Sequence, residues 1–276
     1  MISFNRISLV CGRQSRLLVK SRFLSSISNL ELENENVVKR KDARALVKNP
    51  MNVIVAVQKV KELVWAKFDE TVEIAVNLNV DPRKPNMSIK GVASLPHGTG
   101  KKIRVAVFTQ GSNIQTALNY GADVAGCEDL IAEVQSGNIA FDRVIATPDV
   151  MPMLGKIGKI LGPRGLMPNP KLGSVTTDIV KAIQSVKAGS VQFRVEKKGI
   201  IQAGIGKISF KNIMLLDNIR AFMMAINDVK PEGLKGKFIT SIHISSTMGP
   251  GIPIEITSAD PTSPKFMLDE SLIAAI

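Results

Sequence analysis

Aromatic residues are scarce in this chain: 4% of 276 residues, with one Trp and one Tyr. A row of stacked aromatic platforms for nucleobases has little to build on, and any core must be aliphatic. Cysteine is nearly missing too. Of the two present, Cys11 falls in an arginine-rich leader, so Cys127 stands alone. That rules out an internal disulfide framework and a cysteine metal site. His97 and His243 are the only imidazoles, which leaves a zinc site short of ligands. No apolar run is long enough to span a bilayer. Acidic residues are absent from positions 1–30 and again between Asp149 and Asp178.

Positive charge is what the chain has in excess. The formal net charge is +12, which favours a polyanionic partner over an acidic small molecule. Five of these charges (Arg6, Arg13, Arg16, Lys20 and Arg22) lie in residues 1–30 among scattered serines. Arginine-rich, serine-rich and acid-free describes a mitochondrial presequence. Residues 1–30 are therefore predicted to be one, with SRFLSS (21–26) as its processing region. A basic arm that stays attached and touches RNA is the plainer alternative. Without the five leader charges, 31 basic residues face 24 acidic ones, a net of +7.

Periodicity sketches the rest. Residues 31–50 read as a polar lead-in and 51–68 as an amphipathic helix. TVEIAVNLNV (71–80) alternates, with Val72, Ile74, Val76, Leu78 and Val80 on one face. SIKGVASL (88–95) reads as its partner strand. From 98 to 189 the style changes to short apolar strands (102–108, 143–148) alternating with helices (113–120, 129–137, 177–189), the mark of a small parallel α/β layer. Alternation then returns. Residues 190–210 read as a hairpin turning at Lys198-Gly199, 212–228 as a helix and 238–247 as a strand. The flanks share one style and the middle has another, which points to an insertion.

Few motifs carry chemistry. HGTGKK (97–102) is not a phosphate loop, because no strand precedes it and no Ser or Thr follows the lysine. GKIGKILG (155–162) lacks the glycine spacing of a dinucleotide site. No nucleophile elbow is present. LGPRGLMPNPK (161–171) holds three prolines and two glycines, too many breakers for helix or strand. Three polar stretches remain. KFDETVE (67–73) pairs a lysine and an exposed-or-core phenylalanine with Thr71 and Glu73, types that read 2′-hydroxyls and phosphates of folded RNA. FRVEKKG (193–199) offers Arg194 and Lys197 around Glu196. SSTMGPG (245–251) ends a strand in hydroxyls, an adaptable Met and a glycine. By composition alone the better readings are a helix exit with Phe68 in the core, a charged hairpin tip and a Gly-Pro turn.

Taken in order, FDETVEIAVNLNVDPRK, SLPHGTGKKIRVAVF, GADVAGCEDL, IATPDVMPMLGKIGKILGPRGLMPNPK, SVQFRVEKKG and SSTMGPG closely resemble the L-one family of large-subunit ribosomal proteins. The resemblance runs from about Arg44 to Pro253. It implies an α/β fold of two domains: a discontinuous α/β sandwich from 31–97 and 190–276, and an inserted Rossmann-like domain at 98–189, hinged near 96–98 and 189–190. It implies no catalytic activity, no cofactor, no metal, no small-molecule substrate and no membrane. The implied function is that of a structural constituent of the large ribosomal subunit, binding folded rRNA at the mobile stalk and assisting exit-site tRNA. With the presequence, the expected location is the mitochondrial matrix, on the mitochondrial ribosome. The alternative is a translational regulator binding an mRNA that mimics the rRNA site. Residue by residue, the resemblance places RNA contacts on Lys67, Phe68, Thr71, Glu73, Arg194, Glu196, Lys197, Ser245, Thr247, Met248 and Gly249. Lys159, Arg164 and Lys171 are candidate RNA contacts on the inserted domain. Bacterial members often carry a His three residues beyond the hairpin glycine. Here Gln202 stands there, which hydrogen-bonds but is never cationic.

Overall fold

The computed structural model describes residues 49–267, apart from 85, 86, 112, 232, 233 and 235. The predicted presequence and most of the lead-in lie outside the described residues. Helix α1 spans Val53–Glu62 and starts at Asn52, whose side chain accepts from the Ile54 N–H at 3.3 Å. It ends earlier than its apolar spacing predicts. The Leu63 N–H still bonds the Lys59 carbonyl, but the Ala66 N–H turns to the Glu70 carboxylate at 3.4 Å. Past the Leu63 cap a side chain, not the helix ladder, takes the Ala66 N–H.

Strand β1 (Thr71–Leu78) follows and keeps the predicted alternation: Val72, Ile74, Val76 and Leu78 are buried. Its neighbours come from the far end of the chain. The order of the antiparallel sheet is β7 (Ile200–Lys207), β1, β8 (Ile239–Ser246), β9 (Ile252–Ile254). Strand β2 (Lys90–Ser94) does not pair with β1, as the sequence predicts. It forms a separate two-stranded ribbon with β6 (Ser190–Arg194). Gly91 lies opposite Phe193 there, and a Cβ at Gly91 would sit 2.6 Å from the ring.

The predicted hairpin at 190–210 is likewise corrected. The chain does reverse through Glu196–Gly199, closed by the Gly199 N–H on the Glu196 carbonyl at 2.9 Å. Beyond that turn the strands part, β6 to β2 and β7 to β1. Gly199 has φ +77°, and a Cβ would meet the carbonyls of Leu78 and Val80 at 2.9 Å. Only glycine fits that corner. Helix α7 (Asn212–Asp228; α2 to α6 lie between) buries Leu215, Ile219, Phe222, Met223 and Ile226. Its Phe222 ring meets Phe193 edge-on at 5.6 Å, so it packs against the ribbon as well as the sheet.

The central segment carries three parallel strands in the order β4 (Val124–Gly126), β3 (Val105–Phe108), β5 (Arg143–Ala146). All four residues of β3 are buried, as expected of a parallel strand covered on both faces. Ala106, Phe108, Val144 and Ala146 face α3 (Glu128–Gln135), α4 (Met151–Leu154) and α5 (Gly158–Leu161). Val105, Val107 and Ile145 face α2 (Asn113–Asn119) and α6 (Ile179–Ala188). The breaker-rich loop is pinned to the first of these cores by its apolar pair, Leu166 and Met167. The Leu166 N–H bonds the Leu161 carbonyl at 3.0 Å, and Asn169 caps a short turn at Pro170–Leu172.

Candidate nucleic-acid interface

The inward parity of β1 runs one step beyond the strand. Glu70 has the same parity as Val72 and is 1% exposed. A buried carboxylate must be hydrogen-bonded, and Glu70 is. One oxygen accepts from the Ala66 N–H, and the other accepts from the Met248 N–H at 3.1 Å. Glu70 thereby ties the segment before β1 to the turn after β8. Sequence reading missed it. The i, i+2 alternation that marks Val72 and Ile74 was the available signal.

A second tie runs alongside. The Thr71 N–H donates to the Thr247 Oγ1 at 3.0 Å, and the Thr247 hydroxyl lies 3.3 Å from the Thr71 carbonyl. Lys207 Nζ donates to the Thr71 hydroxyl and to the Asp69 carbonyl, both at 3.0 Å. Asp69 in turn accepts from the Ser209 hydroxyl at 2.9 Å. Thr71 and Thr247 therefore spend hydrogen bonds on each other. Gly249 packs closely in the same turn: a Cβ there would lie 2.3 Å from the Ser246 hydroxyl, which would have to rotate away.

Around these ties stand side chains that are free. Phe68 and Met248 are 54% and 50% exposed, so Phe68 is not a core residue. Glu73 is exposed and lies opposite Ser245 on β8 and Gly204 on β7. Next along the same face come Ala75, Gln202 and His243. Lys67 is exposed at the entry to β1. Lys67, Phe68, Thr71, Glu73, Ser245, Thr247, Met248 and Gly249 thus gather at one end and on one face of the sheet.

The structure does not bring Arg194, Glu196 and Lys197 to that end. Their turn abuts the other end of β1, where the Leu78 N–H bonds the Gly199 carbonyl at 2.9 Å. Seven residues of strand separate the two groups, about 23 Å. Gln202, exposed on the outward face of β7, stands between them. It also lines a cleft of about 460 Å³ together with Arg194, Glu196 and Arg164. Lys159 and Lys171 are exposed and lie outside that lining.

The electrostatics are one-sided. The ion pairs among the described residues are His97–Asp217, Arg104–Asp142 and Lys181–Asp178. Lys67, Arg194, Lys197 and Arg164 take part in none of them. Among the described residues no cluster of His, Cys, Asp or Glu could hold a metal ion, and no helix is long and apolar enough to cross a membrane.

The surface is thus a polar sheet face with an apolar pair at one end and unpaired cations at the other. A family model described as the Ribosomal protein L1p/L10e family matches residues 42–250. That span contains every residue of the surface just built. Such proteins bind rRNA within the large ribosomal subunit and serve there as structural components rather than enzymes. This chain belongs to the Ribosomal protein L1p/L10e family.

Proposed function

We propose that this chain is a structural constituent of the mitochondrial large ribosomal subunit. It sits on folded large-subunit rRNA at the mobile stalk and helps exit-site tRNA to leave. The observation that carries the rRNA site is the turn hooked to Glu70, which presents Met248 beside Phe68, Glu73 and Ser245. Apolar contacts, carboxylate and hydroxyls suit the ribose edges and splayed bases of folded RNA. The mitochondrial reading draws on the arginine- and serine-rich, acid-free residues 1–30.

Movement of the stalk requires two lobes, 31–97 with 190–276 and 98–189. The confinement of the parallel sheet to 105–146 supports this division. So does the crossing of its connections, where Gly98 and Gly189 touch: a Cβ on Gly189 would lie 2.3 Å from the Gly98 Cα. Asn218 on α7 holds that crossing, accepting from the His97 N–H and donating to the Gly98 carbonyl at 2.9 Å.

The test is binding of the full chain to the folded rRNA stalk fragment. Thr247→Val and Met248→Asp each lower affinity about tenfold or more while the protein stays folded. Wild-type affinity in both removes the site assignment. The regulator reading uses the same surface. Tagged protein that co-sediments with large subunits supports the ribosomal role, and sedimentation only as free protein or with mRNA supports regulation.

A further inference from the structure

One edge of the parallel sheet has no part in the rRNA surface. Among the described residues of 98–189, the large apolar side chains left exposed are Leu118 and Tyr120, at 47% and 52%. Both are held in place by the cap of α2. The Gly121 N–H bonds the Leu118 carbonyl at 3.0 Å, and the Ala122 N–H reaches back to the Ala117 carbonyl at 2.9 Å. Gly121 makes the turn at φ +96°. Ala117 and Ala122 are buried in the core behind it, which leaves Leu118 and Tyr120 on the outside. The cap leads into β4, which pairs with β3 and with no other described strand. An edge strand presents backbone donors and acceptors to any chain that comes alongside.

The charge along this edge selects what can cover it. Between Arg104 and Arg143 the chain has five acids and no Lys, Arg or His, inside a protein that is otherwise strongly basic. Asp142 pairs with Arg104, and Asp123 accepts the Val105 N–H at 2.8 Å. Glu128 and Asp129 follow β4 directly, in the first turn of α3, where they also favour the helix. Asp123, Glu128 and Asp129 are exposed, and none joins an ion pair among the described residues. Lys187 of α6 borders the cap, its Nζ 2.9 Å from the place of a Cβ on Gly121, and pairs with none of these acids. Carboxylates repel phosphates and attract cations, so this edge suits a basic partner and not RNA.

We infer that the β4 edge docks an extended, basic segment of a partner protein. The segment adds a strand beside Val124–Gly126, sets an apolar side chain on Leu118 and Tyr120, and brings Lys or Arg to Asp123, Glu128 and Asp129. The apolar pair lies at the start of β4 and the Glu128–Asp129 pair at its end. Three residues of strand span about 10 Å, so a segment of roughly six residues covers both. Backbone pairing supplies affinity in this mode, and the flanking side chains supply specificity. Opposite charge steers the partner in and fixes its direction along the strand. The edge shares no residue with the rRNA surface, so the inference stands apart from that reading.

The test uses the full chain and three short synthetic peptides, read by fluorescence anisotropy. One alternates Val and Lys, one has Glu in place of Lys, and one has Ser in place of Val. The Val–Lys peptide should bind, and the other two about tenfold or more weakly. Leu118→Ser with Tyr120→Ser should lower its affinity about tenfold, and so should Glu128→Gln with Asp129→Asn. If the α3 pair unfolds the protein, the exposed α2 pair still reports. Ile213→Ser is the control, an exposed apolar side chain on α7 whose loss leaves affinity unchanged. Hydrogen exchange should slow at the amides of Val124–Gly126 when the peptide is bound. No binding of the Val–Lys peptide, unaltered binding in the α2 pair, or an equal loss in Ile213→Ser overturns the proposal. A photocrosslinking residue at position 118 then names the occupant in cell extract. Crosslinks to a Lys- or Arg-rich segment of another protein, competed away by the Val–Lys peptide, are the expected result. Crosslinks to RNA, to a second copy of this chain or to its own residues 1–48 contradict it.

Discussion

Replacing Glu70 tests whether a buried carboxylate organises the RNA-facing turn. Its side chain is 1% exposed and accepts two backbone N–H groups, from Met248 at 3.1 Å and Ala66 at 3.4 Å. Gln keeps the shape and one acceptor oxygen, but its amide then faces one N–H donor to donor. One buried N–H left unpaired costs about 1–3 kcal/mol. Ala orphans both, for about 2–5 kcal/mol. Against a total stability of about 5–15 kcal/mol, Glu70→Gln leaves the protein folded. Urea unfolding reads the stability, and calorimetric titration with the stalk RNA fragment reads the affinity. The expected result for Glu70→Gln is a loss of about 1–3 kcal/mol in stability. With it should come about a tenfold loss in affinity, because the Met248 turn is no longer held. Glu70→Gln with wild-type stability and wild-type affinity would refute the reasoning.

Gly189→Ala places a Cβ 2.3 Å from the Gly98 Cα at φ +106°. The left-handed conformation alone costs about 1–2 kcal/mol, so urea unfolding should show at least that loss. Phe68→Ala removes an exposed ring. It should change stability by less than about 0.5 kcal/mol and still weaken RNA binding in the same titration. Asp142 is held below its ordinary value of 3.8, first by the Arg104 N–H it accepts and then by the Arg104 guanidinium. Its folded value is depressed, so its contribution is complete above pH 3.8 and lost as pH falls through the lower folded value. NMR titration should place the Asp142 midpoint below 3.8, and Asp142→Asn should remove that acid-side dependence.

Much of the local structure was written in short-range pattern. The alternation of β1 and the amphipathic run at 212–228 appear as read, because each needs only its own neighbours. Pairing did not follow from pattern. Strand β2 has the composition to pair with β1, yet it pairs with β6, about a hundred residues on. The turn at Glu196–Gly199 looked like a hairpin because turn chemistry is local, while the choice of ladder belongs to the cores on either side. Helix α1 stopped at Glu62, and beyond it the Ala66 N–H goes to Glu70, a contact with no signature in helical spacing. The three polar stretches were legible only through family resemblance. By composition Phe68 suits a core, and its 54% exposure is a tertiary fact.

The central claim is that the Phe68–Met248 end of the sheet lies on large-subunit rRNA. Crosslinking in intact mitochondria, followed by sequencing of the attached RNA and mapping of the attached residues, tests it most directly. The account predicts crosslinks between large-subunit rRNA of the stalk and residues near Phe68, Thr71 and Met248, in particles that sediment as large subunits. Crosslinks confined to mRNA, or rRNA crosslinks that avoid this end of the sheet, would contradict it.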